Sequence, residues 1–299
     1  MIEVRGMTLT YPSGKGVFDL DFKVEQGEVM GYLGPNGSGK TTTIRALLGF
    51  MAPDSGKCAI GGMDCVRKAP HIQKRLGYIP GEISFFDGMT GVEFLAFMQN
   101  MRGIKDNSRQ KELIDMFEFS PKGKIKKFSK GTKQKLGIVA AFMHDPEVAI
   151  LDEPTSGLDP LMQLRFVDLI LEEKKRGKTV LMSSHMFEEV EKTCDNVLII
   201  KDGRIISKSG ANALKSSHRK GFLLKTEDWE SAAAKFRAMG FAVEAQPGGN
   251  LEVFVAGDEA DRFIKTAAQF SILDLDVKAQ TLEDVFMQFY GKEGSANEF

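Results

Sequence analysis

Residues 28–49 read E-V-M-G-Y-L-G-P-N-G-S-G-K-T-T-T-I-R-A-L-L-G. The first six form a nearly continuous apolar run, as expected of a strand buried on both faces. Gly34 to Thr41 then match G-x-x-x-x-G-K-[ST] at every fixed position. Ile44, Leu47 and Leu48 follow at helical spacing. Strand, glycine loop and helix form the context that this pattern needs. Glycine lets the backbone curl so that successive N–H groups point at phosphate oxygens. The following helix aims its positive end at the same place. Lys40 supplies a point charge for the β- and γ-phosphates, and Thr41 a hydroxyl for Mg²⁺. The expected phosphate-binding set is Gly34, Pro35, Asn36, Gly37, Ser38, Gly39, Lys40, Thr41 and Thr42.

A second strand candidate ends in carboxylates: V-A-I-L-D-E-P, Val148 to Pro154. The carboxyl end of a buried parallel strand is where ligands bind in such sheets. Asp152 suits the Mg²⁺ shell. Glu153 points another way, because adjacent residues cannot share one direction off a strand. It is therefore placed to polarise an attacking water.

The rest of the chain frames these two segments. It has 299 residues, 42% hydrophobic and 27% charged, a globular mixture that excludes disorder. Its net charge of -1 gives no global field for nucleic acid, and none is expected as a partner. No apolar run reaches the roughly 18 residues of a membrane span. M-I-E-V-R-G does not read as a signal peptide. Cys58, Cys65 and Cys194 are odd in number without C-x-x-C spacing, so reduced thiols are expected. Further strands are expected at Met7 to Tyr11, in D-L-D-F-K-V, at Thr179 to Ser184 and at Val197 to Ile200. Leu161 to Leu171 is expected to be helical, as is the stretch from about Thr90 to Phe119. Residues 213–220 read as a polar linker. Beyond them the order is strand, helix, strand, strand, helix, strand, a split βαβ arrangement. A last helix opens at Thr281 with Asp284 in the capping position.

Taken together, the two motifs resemble those of the ATP-binding subunit of an ABC transporter, Walker A at Gly34 to Thr41 and Walker B at Val148 to Glu153. Three more marks of the family follow: S-G-L-D at Ser156 to Asp159 resembles the D-loop, S-S-H at Ser183 to His185 the switch histidine, and F-S-K-G-T-K-Q-K at Phe128 to Lys135 the signature. The resemblance implies an α/β P-loop ATPase over residues 1–212, with a helical signature subdomain at about 84–140. A small C-terminal α+β domain at 221–299 resembles the extension of bacterial export ATPases whose permease is a separate chain. It further implies ATP and Mg²⁺ as cofactors and a head-to-tail dimer. In that dimer Ser129 and Gly131 bind the γ-phosphate in trans, with Asp159 in the D-loop beside it. His185 holds the water together with Glu153, and Tyr11 stacks on adenine. The partners implied are integral membrane permease subunits, with the ATPase peripheral on the cytoplasmic face. A homodimer is expected, and a heterodimer with a related ATPase stays open.

This sequence departs from the family pattern twice. Lys130 replaces the first glycine of L-S-G-G-Q, and Thr132 stands at its glutamine. The Q-loop reads G-Y-I-P-G-E, with Gly81 in the glutamine position and Glu82 after it. Glu82 is expected to enter the metal shell in place of the glutamine. Phe85, Phe86 and Met89 are candidates for a surface that docks the permease. Two other readings remain: a soluble ABC-type ATPase acting on ribosomes or DNA, and an ATP-dependent regulator.

Overall fold

The computed structural model describes residues 1–86, 88–184, 186–210, 220–246, 248–255 and 259–278. They fall into two compact units, Met1–Ser209 and Gly210–Phe299.

The first unit is built on strands whose side chains are apolar on both faces. All five positions of β3 (Val29–Leu33), β7 (Val148–Asp152) and β8 (Thr179–Ser183) are buried. Such strands need neighbours and cover on both sides, which a parallel sheet provides. With β6 (Leu76–Ile79), β9 (Asn196–Lys201) and β10 (Arg204–Gly210) they form a six-stranded sheet in the order β10-β9-β3-β8-β7-β6. Every pairing among β6, β7, β8, β3 and β9 is parallel. The carboxyl ends of β3, β7 and β8 therefore share one edge.

A second sheet, β2-β1-β4-β5, is antiparallel and packs on this core. Its strands are β1 (Ile2–Thr10), β2 (Gly16–Val24), β4 (Ser55–Ile60) and β5 (Met63–Asp64). β1 starts well before the expected Met7. Ile2 and Val4 point inward, and a bulge between Val4 and Met7 brings Met7 and Leu9 back to the same buried face. Reading the opening residues in isolation hid this, because the alternation changes phase at Gly6.

The expected helical stretch is two helices, α3 (Gly91–Arg102) and α4 (Ser108–Met116), following α1 (Lys40–Leu47) and α2 (Ala69–Gln73). Thr90 and Glu93 cap α3 reciprocally, and Gly103 ends it in the left-handed conformation. A 3-10 turn at Ile125–Lys127 leads into α5 (Lys130–Phe142). Arg109 of α4 ties this region to α6 (Pro160–Lys175): it pairs with Glu172 at 3.1 Å and with Glu173 at 2.5 Å. Arg109 is 12% exposed and Glu173 2%. α7 (Phe187–Thr193) precedes β9. The three cysteines are free and buried.

The second unit runs β11 (Lys220–Thr226), α8 (Trp229–Ala238), β12 (Ala242–Gln246), β13 (Asn250–Val255), α9 (Ala260–Ala267) and β14 (Ile272–Lys278). The sheet order is β12-β13-β11-β14, with every pairing antiparallel. β11 and β12 are thus parallel with β13 between them, which is the split βαβ arrangement. Phe236, Phe241 and Phe263 pack with Leu224, Leu251 and Val253 to form its core. β11 begins at Lys220, the residue assigned to the end of the linker. The remainder of that linker and the helix from Thr281 lie outside the described residues. Among the described residues no helix is long and apolar enough to cross a membrane.

Two outcomes follow from the buried charges of the first unit. Arg109→Ala removes one of the two guanidinium partners of the buried Glu173, leaving Arg176 at 2.9 Å, and should cost about 2 kcal/mol, measured by urea unfolding. His144 is the second case: burial, with the Arg102 charge beside it, holds its imidazole down at about 4. An unfolded histidine titrates near ~6.5. The stability it permits is therefore full above that value and is lost as pH falls from there towards 4. Between pH 7 and pH 4, wild type should lose about 3 kcal/mol more than His144→Gln, read from paired urea curves.

Candidate nucleotide site

β3 delivers the chain into a loop that only small residues can form. A Cβ on Gly34 would lie 2.5 Å from the Ile200 carbonyl oxygen and 2.5 Å from Ser38 Oγ. Gly39 has φ of 111° and precedes α1, so Lys40, Thr41 and Thr42 form the first turn. The Ser38 hydroxyl is buried without a hydrogen-bond partner in a loop built to receive phosphate. The Lys40 ammonium donates to the carbonyls of Gly34 at 2.6 Å and Pro35 at 3.2 Å. Burial pulls its pKa below the usual lysine value, while Glu153 and Asp152 act in the opposite direction. An arriving phosphate would give that half-desolvated cation a charged partner in exchange for two carbonyls.

Asp152, 3% exposed, ends β7. Ser183 at the end of β8 donates to Oδ1 at 2.5 Å, and Thr41 of α1 donates to Oδ2 at 3.0 Å. Glu153 adopts φ of 50°, the left-handed region, and its N–H donates to the Ser183 carbonyl at 3.1 Å. That turn sends successive carboxylates in different directions, and both border one cavity of about 560 Å³. Its walls also carry Tyr11, Asn36, Gly37, Gly39, Lys40, Thr41 and Thr42. Gly34, Pro35 and Ser38 belong to the same loop without lining the cavity. Tyr11 is half-buried, its hydroxyl 3.5 Å from Thr42 Oγ1 and 3.5 Å from Met51 Sδ. The Thr42 contact is the main reason its pKa is lowered.

Gly81 and Glu82 border the cavity as well. A Cβ on Gly81 would stand 3.3 Å from Asp152 Oδ2, so the loop backbone passes directly beside the carboxylate. Ser13, Lys15 and Gly16 complete the wall next to Tyr11. Sequence reading missed these three. The turn signal P-S-G-K-G after Tyr11 was available, but nothing in it shows that β1 and β2 hold that turn over the phosphate loop.

Ser129, Gly131 and Asp159 do not line this cavity. Ser129 caps α5, its Oγ accepting from the Thr132 N–H at 3.1 Å. Gly131 and Gly157 are in close approach: a Cβ on Gly131 would be 2.8 Å from the Gly157 carbonyl oxygen. Lys130 lays its stem over Gly157 and donates to Ser156 Oγ at 2.9 Å. Asp159 caps α6 by accepting from the Met162 N–H at 3.0 Å. Signature and D-loop segments therefore pack on each other within one chain. Gln134, buried in α5, donates to the Pro154 carbonyl at 2.5 Å and links the signature helix to the segment after Asp152. His185 lies outside the described residues. Replacing Gly34 by Ala should leave the circular dichroism spectrum intact and weaken ATP binding more than about tenfold in calorimetry, since the new methyl meets backbone.

Comparison with known proteins agrees with this geometry. Residues 17–156 match the family model described as ABC transporter. The bacitracin transport ATP-binding protein BcrA of Bacillus licheniformis is 32% identical over 299 residues, 97% of each chain. The Nod factor export ATP-binding protein I of Burkholderia orbicola is 30% identical, over 98% of this chain and 97% of that one. A solved structure of the ATP binding subunit of an ABC transporter superposes with a TM-score of 0.67 at 29% identity, covering 73% of this chain and 92% of its own. A dimeric post-hydrolysis cassette bound to ADP and Pi has the same fold, with a TM-score of 0.63 at 20% identity over 71% of this chain and 99% of its own. Phosphate loop, paired carboxylates and full-length similarity converge: this chain belongs to the ABC transporter family as one of its ATP-binding subunits, an ATPase.

Proposed function

We propose that this chain hydrolyses ATP to drive export through a separate membrane permease, working as a homodimer. The observation that carries the proposal is the convergence of Lys40, Thr41, Asp152 and Glu153 on one cavity. Support for export comes from relatives similar over nearly the whole chain, two of which are named for bacitracin transport and Nod factor export.

Each residue has a physical part in this reading. The N–H groups from Asn36 to Thr42 and the Lys40 ammonium hold the phosphates. Tyr11 gives the base an aromatic face. Thr41 and Asp152 suit Mg²⁺, because a hydroxyl and a carboxylate 3.0 Å apart are hard oxygen donors, with Glu82 a third candidate on the cavity wall. Among the described residues no three His, Cys, Asp or Glu side chains gather into a metal cage. When bound, the ion neutralises charge on the transferring phosphoryl group. Glu153 orients water and accepts its proton, assisted by His185. Ser129 and Gly131 reach the γ-phosphate of the partner subunit's nucleotide, with Asp159 beside that contact.

The aromatic segment after Glu82 divides by exposure. Phe85 stacks edge-on against Phe94 at 4.9 Å, a packing role. Phe86 is 56% exposed beside Phe97, and Met101 is 68% exposed. Phe86, Phe97 and Met101 offer the apolar surface for a permease segment.

Glu153→Gln should bind ATP and lose at least about a hundredfold in turnover, measured as phosphate release. That variant, tagged and recovered from detergent-solubilised membranes, should bring down a stoichiometric integral membrane protein. Recovery without one would favour the regulator reading. Phe86→Asp should reduce that recovery while leaving ATP affinity unchanged.

A further inference from the structure

Five charged side chains line the nucleotide cavity: Lys15, Lys40, Glu82, Asp152 and Glu153. Carboxylates outnumber ammonium groups by three to two, before a polyphosphate arrives. These carboxylates are not alike. Asp152 accepts hydrogen bonds from Ser183 and Thr41. Glu153 sits on a turn fixed by its N–H bond to Ser183. Glu82 is exposed on the loop after β6, and no hydrogen bond or ion pair to a described residue holds it. Its neighbour Gly81 carries no side chain to stand between the loop and Asp152. Replacing Glu82 by a neutral side chain would leave the lining balanced, two against two.

We infer that Glu82 acts as an electrostatic gate, making nucleotide binding depend on the divalent cation. Without a partner among the described residues, its carboxylate borders the space that receives phosphates. A metal-free nucleotide meets like charge there, within walls that weaken solvent screening. A divalent cation bound to the phosphates cancels part of the nucleotide's negative charge and so weakens that repulsion. The selection requires only charge in the cavity, so Glu82 need not ligate the ion. This inference rests on the nucleotide reading of the cavity and adds a discrimination that Thr41 and Asp152 alone do not supply.

The test is equilibrium binding of the non-hydrolysable imido analogue of ATP to the full chain, with Mg²⁺ and separately with EDTA. Wild type, Glu82→Gln and Glu82→Asp are compared, with circular dichroism to verify folding. The ratio of affinities with and without Mg²⁺ should fall about tenfold in Glu82→Gln, chiefly because metal-free binding tightens. Glu82→Asp should keep most of the wild-type ratio. Adding 0.5 M salt should shrink the difference between wild type and Glu82→Gln to about half or less. A ratio unchanged within about twofold in Glu82→Gln overturns the gate, and so does a fall produced only by weaker Mg²⁺-nucleotide binding. Wild type that binds no analogue in either buffer overturns the nucleotide reading itself, a separate and recognisable outcome.

Discussion

The carboxylate of Asp152 is the point on which the catalytic architecture hangs. It joins three segments distant in sequence: β7, which carries it, Ser183 at the end of β8, and Thr41 in the first turn of α1. The parallel register pairs Asp152 with Ser183 directly, so the hydrogen bond follows from how the sheet is assembled. Taking a carboxylate out of water is costly unless donors meet it, and here two hydroxyls do. The same contact fixes the distance between the Thr41 hydroxyl and the strand that positions Glu153. Moving either strand end by one residue would dissolve the site and leave a buried charge without donors.

Around that point, close backbone approach substitutes for side-chain bulk. Gly34 lets the phosphate loop pass against the Ile200 carbonyl, and Gly81 lets the next loop pass against Asp152. Gly131 and Gly157 do the same for the signature and D-loop segments, with Lys130 filling the remaining space. Gln134 then carries a buried connection from α5 to Pro154. Packed, hydrogen-bonded groups thus join the signature helix to the residues flanking Glu153. The helical region rests on α6 through Arg109, whose ion pairs with Glu172 and Glu173 give the joint a defined geometry.

Much of this was legible in the chain. Continuous apolar runs marked β3, β7, β8 and β9, because strands covered on both faces tolerate little else. The phosphate loop announced itself through glycines at fixed spacing before a lysine. The β-α-β-β-α-β order of the second unit could be read from alternation and turn residues. Other elements left weaker traces. β4 carries few apolar residues, since three of its six positions are exposed, and its place beside β1 comes from long-range pairing. The first half of β1 was hidden by a bulge that shifts its alternation. The aromatic segment after Glu82 showed composition without direction, so Phe85 and Phe86 looked alike although one packs inward and the other faces solvent.

By itself the sequence determined the chemistry: an amine, a hydroxyl and two carboxylates at the ends of buried strands, with glycines where backbone must approach phosphate. Those choices are local, because residue type and spacing set what each segment can bind. Tertiary structure alone decided which groups meet. It set Ser183 against Asp152, folded the turn after Tyr11 over the phosphate loop, and laid Lys130 across Gly157. It also brought Glu82 to the cavity without a partner among the described residues. Sheet order and register make these contacts, and both arise from pairing between segments too far apart in the chain for local pattern to fix.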